Sequence, residues 1–237
     1  RGGWAQRAAV QIDRLSPIPT GLTDARAAAL PTAGLTALRS LELGGLLLGR
    51  QVLVTGATGG VGRMAVQLAR AAGARVTALV RDAAAAGGEL TQIGAAAVVE
   101  HLDGDFDFVL DAVGGEVFGL AIEHLAPGGL VVNVGTPSHD ATVTFRAARL
   151  DRAAGAAIRT LNLPDELVRH ASGVVDLRRL CDLVLDGRLD PQIGHEASWR
   201  DVADAIDALL TRRVGGKVVL HVDQPYVGAA SRPRPTP

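Results

Sequence analysis

The sequence is short of sulfur and of lysine. It has one cysteine (Cys181), one methionine (Met64) and one lysine (Lys217) in 237 residues, so its basic charge is carried by arginine. A lone cysteine forms no internal disulfide, which excludes a cross-linked miniprotein and suits a cytoplasmic setting. Aromatic residues are 3% of the chain, so its core has to be built from Ala, Val and Leu. Neither sign of charge is in excess: 24 Lys+Arg against 25 Asp+Glu leave a net charge of −1. No whole-molecule field attracts nucleic acid or an anionic membrane. No apolar run reaches the length of about 18 residues that crosses a bilayer, and no secretory leader pattern opens the chain. A soluble protein with a small-molecule substrate and neither nucleic-acid nor membrane partners is expected.

What is present is an ordinary globular composition, 48% hydrophobic and 21% charged with 29 glycines, in a chain long enough to bury roughly three quarters of its unfolded surface. The segment from Arg1 to Pro31 mixes short apolar runs with Pro17, Pro19 and Gly21 and predicts a strand or two and an irregular connector. Residues 32–48 carry an apolar stripe that predicts a helix broken near Gly44-Gly45. The β-rich run Gln51 to Thr55 then enters Gly56-Ala57-Thr58-Gly59-Gly60-Val61-Gly62, and Val61, Met64, Ala65, Leu68, Ala69 and Ala72 follow on one helical stripe. Strand, glycine turn and helix, closed by Gly73 and followed by a second strand from Arg75 to Val80, make a βαβ unit.

The alternation continues, so the pattern predicts a parallel sheet with strands near 52–55, 76–80, 97–100, 107–112, 130–134 and 157–162. Its apolar runs do not alternate, as expected for strands covered on both faces. Further helices are predicted at 83–93, 116–125 and 177–187, and another from Ser198, whose Asp201 stands three positions on. Lys217 to Val222 reads as a last strand and the tail from Asp223 as disordered. The fold class is α/β, a doubly wound parallel sheet of the Rossmann kind.

A glycine turn between a strand and a helix aims several backbone N–H groups at one point, backed by the positive end of the helix dipole. That point suits a phosphate: Gly59 and Gly60 admit the pyrophosphate of a dinucleotide, and Gly62 lets helix and strand pack closely. An NAD site wants an acidic residue at the end of the second strand, to hold the ribose hydroxyls. Val80 and then Arg81 stand there. An apolar side chain accepts no hydrogen bond, whereas an arginine pairs with a 2′-phosphate, so NADPH is favoured. The alternative for Arg81 is a solvated loop charge neutralised by Asp82. The short-chain dehydrogenases share this turn but need a Tyr with a Lys four residues later. The only tyrosine is Tyr226, and Ala230 occupies the lysine position.

The chain resembles the medium-chain dehydrogenase/reductases, and within them the zinc-free quinone oxidoreductase-like branch. The likeness rests on Gly2-Gly3-Trp4-Ala5, on Ala27-Ala28-Ala29-Leu30-Pro31-Thr32-Ala33-Gly34-Leu35-Thr36-Ala37 and on the glycine turn. Asp111-Ala112-Val113-Gly114-Gly115, Leu125-Ala126-Pro127-Gly128-Gly129 with Val134-Gly135, and Gly216-Lys217-Val218-Val219-Leu220 follow in the family's order and spacing. This resemblance implies a Rossmann domain at 32–187, a remnant of a barrel-like substrate domain and connector at 1–31, and a helix and strand at 188–222 returning to that domain, before the tail at 223–237. It implies NADPH in the cleft, with Thr36 near the nicotinamide ribose, Gly59, Gly60 and Val61 on the pyrophosphate, and Gly114 and Gly135 along the cofactor. His101 stands where relatives often carry a Tyr near the adenosine phosphate. The family's frequent NADPH-binding Lys, in the helix after the second strand, is replaced by Ala83 to Ala86, leaving Arg81 to compensate. About a hundred residues of the family's substrate domain precede the point where this chain begins.

The implied activity is hydride transfer from NADPH to a quinone or to the β-carbon of an α,β-unsaturated carbonyl, including the enoyl reductases of polyketide or fatty-acid assembly lines. The alternative is a nucleotide-binding or structural protein without turnover. One cysteine and six scattered histidines lack zinc-ligand spacing, so no metal is expected, and Cys181 reads as a core residue. His139, His170 and His195 carry no assigned role and no general acid is assigned. Asp111, at a strand end, reads equally as a cofactor contact or as a cap on the next turn. Through the apolar edge at Ala156 to Leu161, a homodimer is expected.

Overall fold

The computed structural model describes residues 5, 8–135 and 142–222. A 3-10 turn at Ile12–Arg14 precedes helices α1 (Asp24–Ala29) and α2 (Pro31–Leu43). The alternating part follows: β1 (Gln51–Thr55), α3 (Gly60–Ala71), β2 (Arg75–Leu79), α4 (Ala83–Gln92), β3 (Ala97–Val99), β4 (Phe106–Asp111), α5 (Gly115–Glu123) and β5 (Leu125–Asn133). Then come α6 (Ala147–Leu150), β6 (Ala157–Thr160), α7 (Leu163–His170), α8 (Gly173–Leu185), β7 (Ile193–Ser198), α9 (Val202–Leu210) and β8 (Lys217–His221).

Six strands form one sheet in the order β3-β2-β1-β4-β5-β6, with every neighbouring pair parallel. The chain therefore starts in the middle, winds outward to β3, and returns to wind the other way, which leaves a crevice at the carboxyl ends of β1 and β4. Period-two alternation decides which helices cover each face. Val52, Val54, Phe108 and Leu110 pack with residues of α2, α3 and α8, including Leu38, Met64, Val66, Leu180 and Cys181. Leu53, Val109 and Val131 face the other way, onto Ala121 and Ile122 of α5 and Ala153. Small side chains suffice because both faces are covered. The register between β4 and β5 shifts between Phe106 and Phe108, so β5 begins at Leu125, before Pro127-Gly128-Gly129, rather than at residue 130.

The first thirty residues differ from expectation. Among those described there is no strand; a 3-10 turn and α1 stand instead. The cause is local: the Thr23 hydroxyl accepts from Arg26 N–H, Asp24 sits in the first turn, and three alanines propagate the helix until Pro31 opens the next. β7 is a further difference; it pairs in parallel with β8 as a second, two-stranded sheet. The predicted tail and His139 lie outside the described residues. Among the described residues no helix is long and apolar enough to cross a membrane.

Candidate functional site

β1 ends at Thr55, and Gly56 turns the chain with φ +61. Gly59 N–H donates to Gly56 O (3.0 Å), and Gly59 caps α3 without a side-chain hydrogen bond, so the first-turn N–H groups at Gly60, Val61 and Gly62 have no acceptor inside the helix. A Cβ on Gly62 would lie 2.3 Å from Gly56 O and 2.6 Å from Ala57 Cα. Only glycine lets α3 begin this close to the strand that feeds it.

Above the turn sits a residue to which sequence reasoning gave no role. Gly59 and Gly216 form a parallel bridge, and Gly216 N–H donates to Thr58 O (3.2 Å). This sets Lys217 over the helix start: a Cβ on Gly60 would lie 2.6 Å from Lys217 Cδ. Burial pushes the Lys217 ammonium down from its ordinary pKa of 10.5. No carboxylate or other hydrogen-bond partner meets it among the described residues. A half-buried cation beside a row of amides without helical acceptors suits an anion with more than one charge. The available signal was compositional: this is the only lysine in the chain.

The crevice floor is organised by Asp111, which is fully buried at the end of β4. Its Oδ1 accepts from the Thr55 hydroxyl (2.5 Å), and its Oδ2 accepts from Gly114 N–H (3.0 Å) and Asn133 Nδ2 (2.7 Å). Asn133 Nδ2 also donates to Gly135 O (3.3 Å). One carboxylate thus ties together the ends of β1, β4 and β5 and places Gly114 and Gly135 on one rim. Asp111 caps and fastens.

Arg81 and His101 come together through register. Leu79 pairs with Val99, and each of the two residues stands two positions beyond that pair on neighbouring strand ends. Both are exposed. The acidic groups beside them are engaged elsewhere, since Asp82 Oδ1 accepts from Ala85 N–H (2.9 Å) and Glu100 Oε1 from Ala83 N–H (2.8 Å), both capping α4. Asp82 does not pair with Arg81. Thr36 is buried within α2, where its hydroxyl donates to Thr32 O (2.7 Å), and no hydrogen bond ties it to the glycine turn. Cys181 is buried, and desolvation raises its thiol pKa. A groove of about 780 Å³ lies along α3 and α4, lined by Arg63, Gln67, Arg70, Glu89 and Gln192 among others. No residue of the glycine turn lines it. Among the described residues no group of three or more His, Cys, Asp or Glu is placed to hold a metal ion.

A sequence profile described as zinc-binding dehydrogenase matches residues 89–220. The chain is 32% identical to a phenolphthiocerol/phthiocerol polyketide synthase of Mycobacterium tuberculosis, over 95% of this chain and 11% of that one. It is 28% identical to acryloyl-coenzyme A reductase of Metallosphaera sedula, over 92% of this chain and 65% of the relative. Among solved structures, the quinone oxidoreductase of Coxiella burnetii superposes with a TM-score of 0.70 at 27% identity, covering 86% of this chain and 63% of that one. The chain therefore spans about a tenth of the synthase and a little under two thirds of the other two. With the profile extending over more than half of its residues, on a sheet of the order just described, the chain belongs to the zinc-binding dehydrogenase family of the medium-chain dehydrogenase/reductase superfamily.

Proposed function

We propose that this chain is the cofactor-binding part of an NADPH-dependent oxidoreductase acting on an α,β-unsaturated carbonyl or a quinone. The observation that carries this reading is Lys217, half-buried and without a hydrogen-bond partner for its ammonium among the described residues, placed over the amides at the start of α3. The residues fit the group. Backbone atoms leave no room for a Cβ at Gly62, and at Gly60 only the flexible Lys217 side chain comes close; a pyrophosphate supplies the charge that Lys217 lacks. Arg81, with Asp82 turned to its helix cap, is free to meet the 2′-phosphate of NADPH, and no acidic residue stands at Val80 to favour NAD. His101 shares that edge, Gly114 and Gly135 line the nicotinamide half of the crevice, and Thr36 contributes from α2. When bound, the cofactor supplies a hydride. The protein's part is to bind and orient it, with Asp111 holding the strand ends in place.

Between the two substrate classes, the likeness to an acryloyl-coenzyme A reductase favours an enoyl thioester. A homodimer through β6 belongs to the same proposal: all four residues of this edge strand are exposed, Ile158 at 45%. The test is calorimetric titration with NADPH and NADH at fixed ionic strength, followed by oxidation of NADPH in the presence of an enoyl thioester or a quinone. Tight NADPH binding with faster oxidation by the thioester is expected. Binding without oxidation by either acceptor assigns the alternative, a nucleotide-binding protein without turnover, and absence of binding overturns both.

A further inference from the structure

Lys217 belongs to the small β7–β8 sheet, yet it has to stand over a turn in the large one. Holding its ammonium in a half-buried position is unfavourable, because water solvates that charge better than the protein does. Left to itself, the segment gains by swinging the lysine outward. Two side chains of α3 oppose this.

The first is Gln67, a buried amide at 8% exposure in the interior of α3. Its Oε1 accepts from Asp190 N–H (2.7 Å), and its Nε2 donates to Asp190 O (2.9 Å) and to Arg63 O one turn back (3.2 Å). The side chain thus engages both backbone groups of one residue, as a neighbouring strand would, and both of its own polar atoms are bonded. The second is Arg63, whose Nε donates to Thr58 O (3.0 Å) inside the glycine turn, Nη1 to Gln192 Oε1 (3.1 Å) and Nη2 to Glu89 (2.5 Å).

Both side chains converge on residues 190–192. Gln192 has φ +57, left-handed for a non-glycine residue, and its N–H donates to Asp190 Oδ1 (2.8 Å). From this fixed corner Gln192 O accepts from Lys217 N–H (2.8 Å). Gly216, with φ +77, passes so close that a Cβ there would lie 2.2 Å from Gln192 O. The path from α3 to Lys217 is therefore continuous: Gln67 fixes Asp190, Arg63 joins Gln192 to the turn, and Gln192 fixes Lys217.

We propose that Gln67 and Arg63 are positioning residues that latch the 190–192 corner to α3 and thereby deliver Lys217 to the dinucleotide pyrophosphate. This rests on the NADPH reading above. Neither side chain contacts the cofactor in this assignment; both act through Lys217.

The experiment is a double-mutant cycle on the full 237-residue chain, with NADPH affinity as the readout at several salt concentrations. Lys217→Ala is expected to weaken NADPH on the order of tenfold and to flatten its salt dependence, as loss of one charged contact does. Gln67→Met, close in volume and without the amide, is expected to weaken binding several-fold and to flatten the salt dependence in the same way. In the Lys217→Ala background, Gln67→Met should have no further effect. If the effects of the two substitutions multiply instead, or if Gln67→Met leaves affinity and salt dependence unchanged, the latch is overturned while the cofactor assignment stands. If the wild-type chain binds no NADPH, the cofactor assignment itself fails. Should Gln67→Met lose its cooperative melting, Gln192→Asn replaces it in the same cycle. Asparagine tolerates the left-handed backbone but is too short to reach Arg63, and the same outcomes decide.

Discussion

The two parallel sheets differ in what covers them. β1 buries four of its five residues and β4 buries five of six, between helices on both faces. β7 buries none, and β8 buries only Val219. The large sheet is held by non-directional apolar packing, distributed over many side chains. The small one depends on directed bonds at particular atoms: the Gly59–Gly216 bridge, the Gln67 amide and the Arg63 guanidinium. The first arrangement gives stability, and the second gives placement.

The contrast breaks most readily in the core. Phe108→Ala, in the centre of the large sheet, is expected to cost about 3–5 kcal/mol in urea unfolding, whereas Val219→Ala in β8 should cost about 1 kcal/mol. Equal costs would mean that the two sheets are stabilised alike. Next in size is cofactor choice. Arg81→Ala should weaken NADPH by about 1–3 kcal/mol and leave NADH unchanged, by titration of both nucleotides; a loss shared by both would make Arg81 an ordinary surface charge.

A third prediction concerns pH. The folded pKa of Lys217 lies below its ordinary 10.5, so between these two values the unfolded chain binds more protons than the folded one. Stability contributed by this group therefore rises with pH across that window, as the buried charge is removed. NADPH affinity should fall across the same window, because the ammonium proposed to meet the pyrophosphate is lost. Opposite slopes in thermal melting and in titration are the signature, and Lys217→Ala should abolish both. The smallest effect on stability is expected at the exposed edge. Ile158→Lys should change unfolding by less than about 0.5 kcal/mol yet shift light scattering from dimer to monomer.

Much of the large sheet was legible because its signals are local. Val52 to Val54 and Phe108 to Leu110 are apolar runs bounded by turns, and Gly56 to Gly62 punctuates the change from strand to helix. β7 was not legible: Ile193-Gly194-His195-Glu196-Ala197-Ser198 is half polar, half exposed and nowhere buried, so neither periodicity nor propensity marks it. α1 was hidden because Pro19, Gly21 and Pro31 suggest a connector, although Thr23 and a run of alanines suffice for two turns. In the candidate site the glycine turn and the Arg81 edge could be read in sequence. The pairing of Lys217 with that turn could not, since it depends on a bridge between residues far apart in the chain, and no local pattern encodes it. Asp111 was ambiguous until Thr55, Gly114 and Asn133 were seen converging on it.

The bridge between Gly59 and Gly216 also sets an order of events during synthesis. Every strand of the large sheet has been made once Thr160 is added, but the cradle acquires its cation only with residue 217. At roughly 5–20 residues per second, the ribosome leaves a delay of seconds in which the sheet is complete in sequence and the proposed dinucleotide site is not. A nascent chain that stalls within that stretch carries the glycine turn without Lys217, so under the proposed function it should hold NADPH about as weakly as the Lys217→Ala variant.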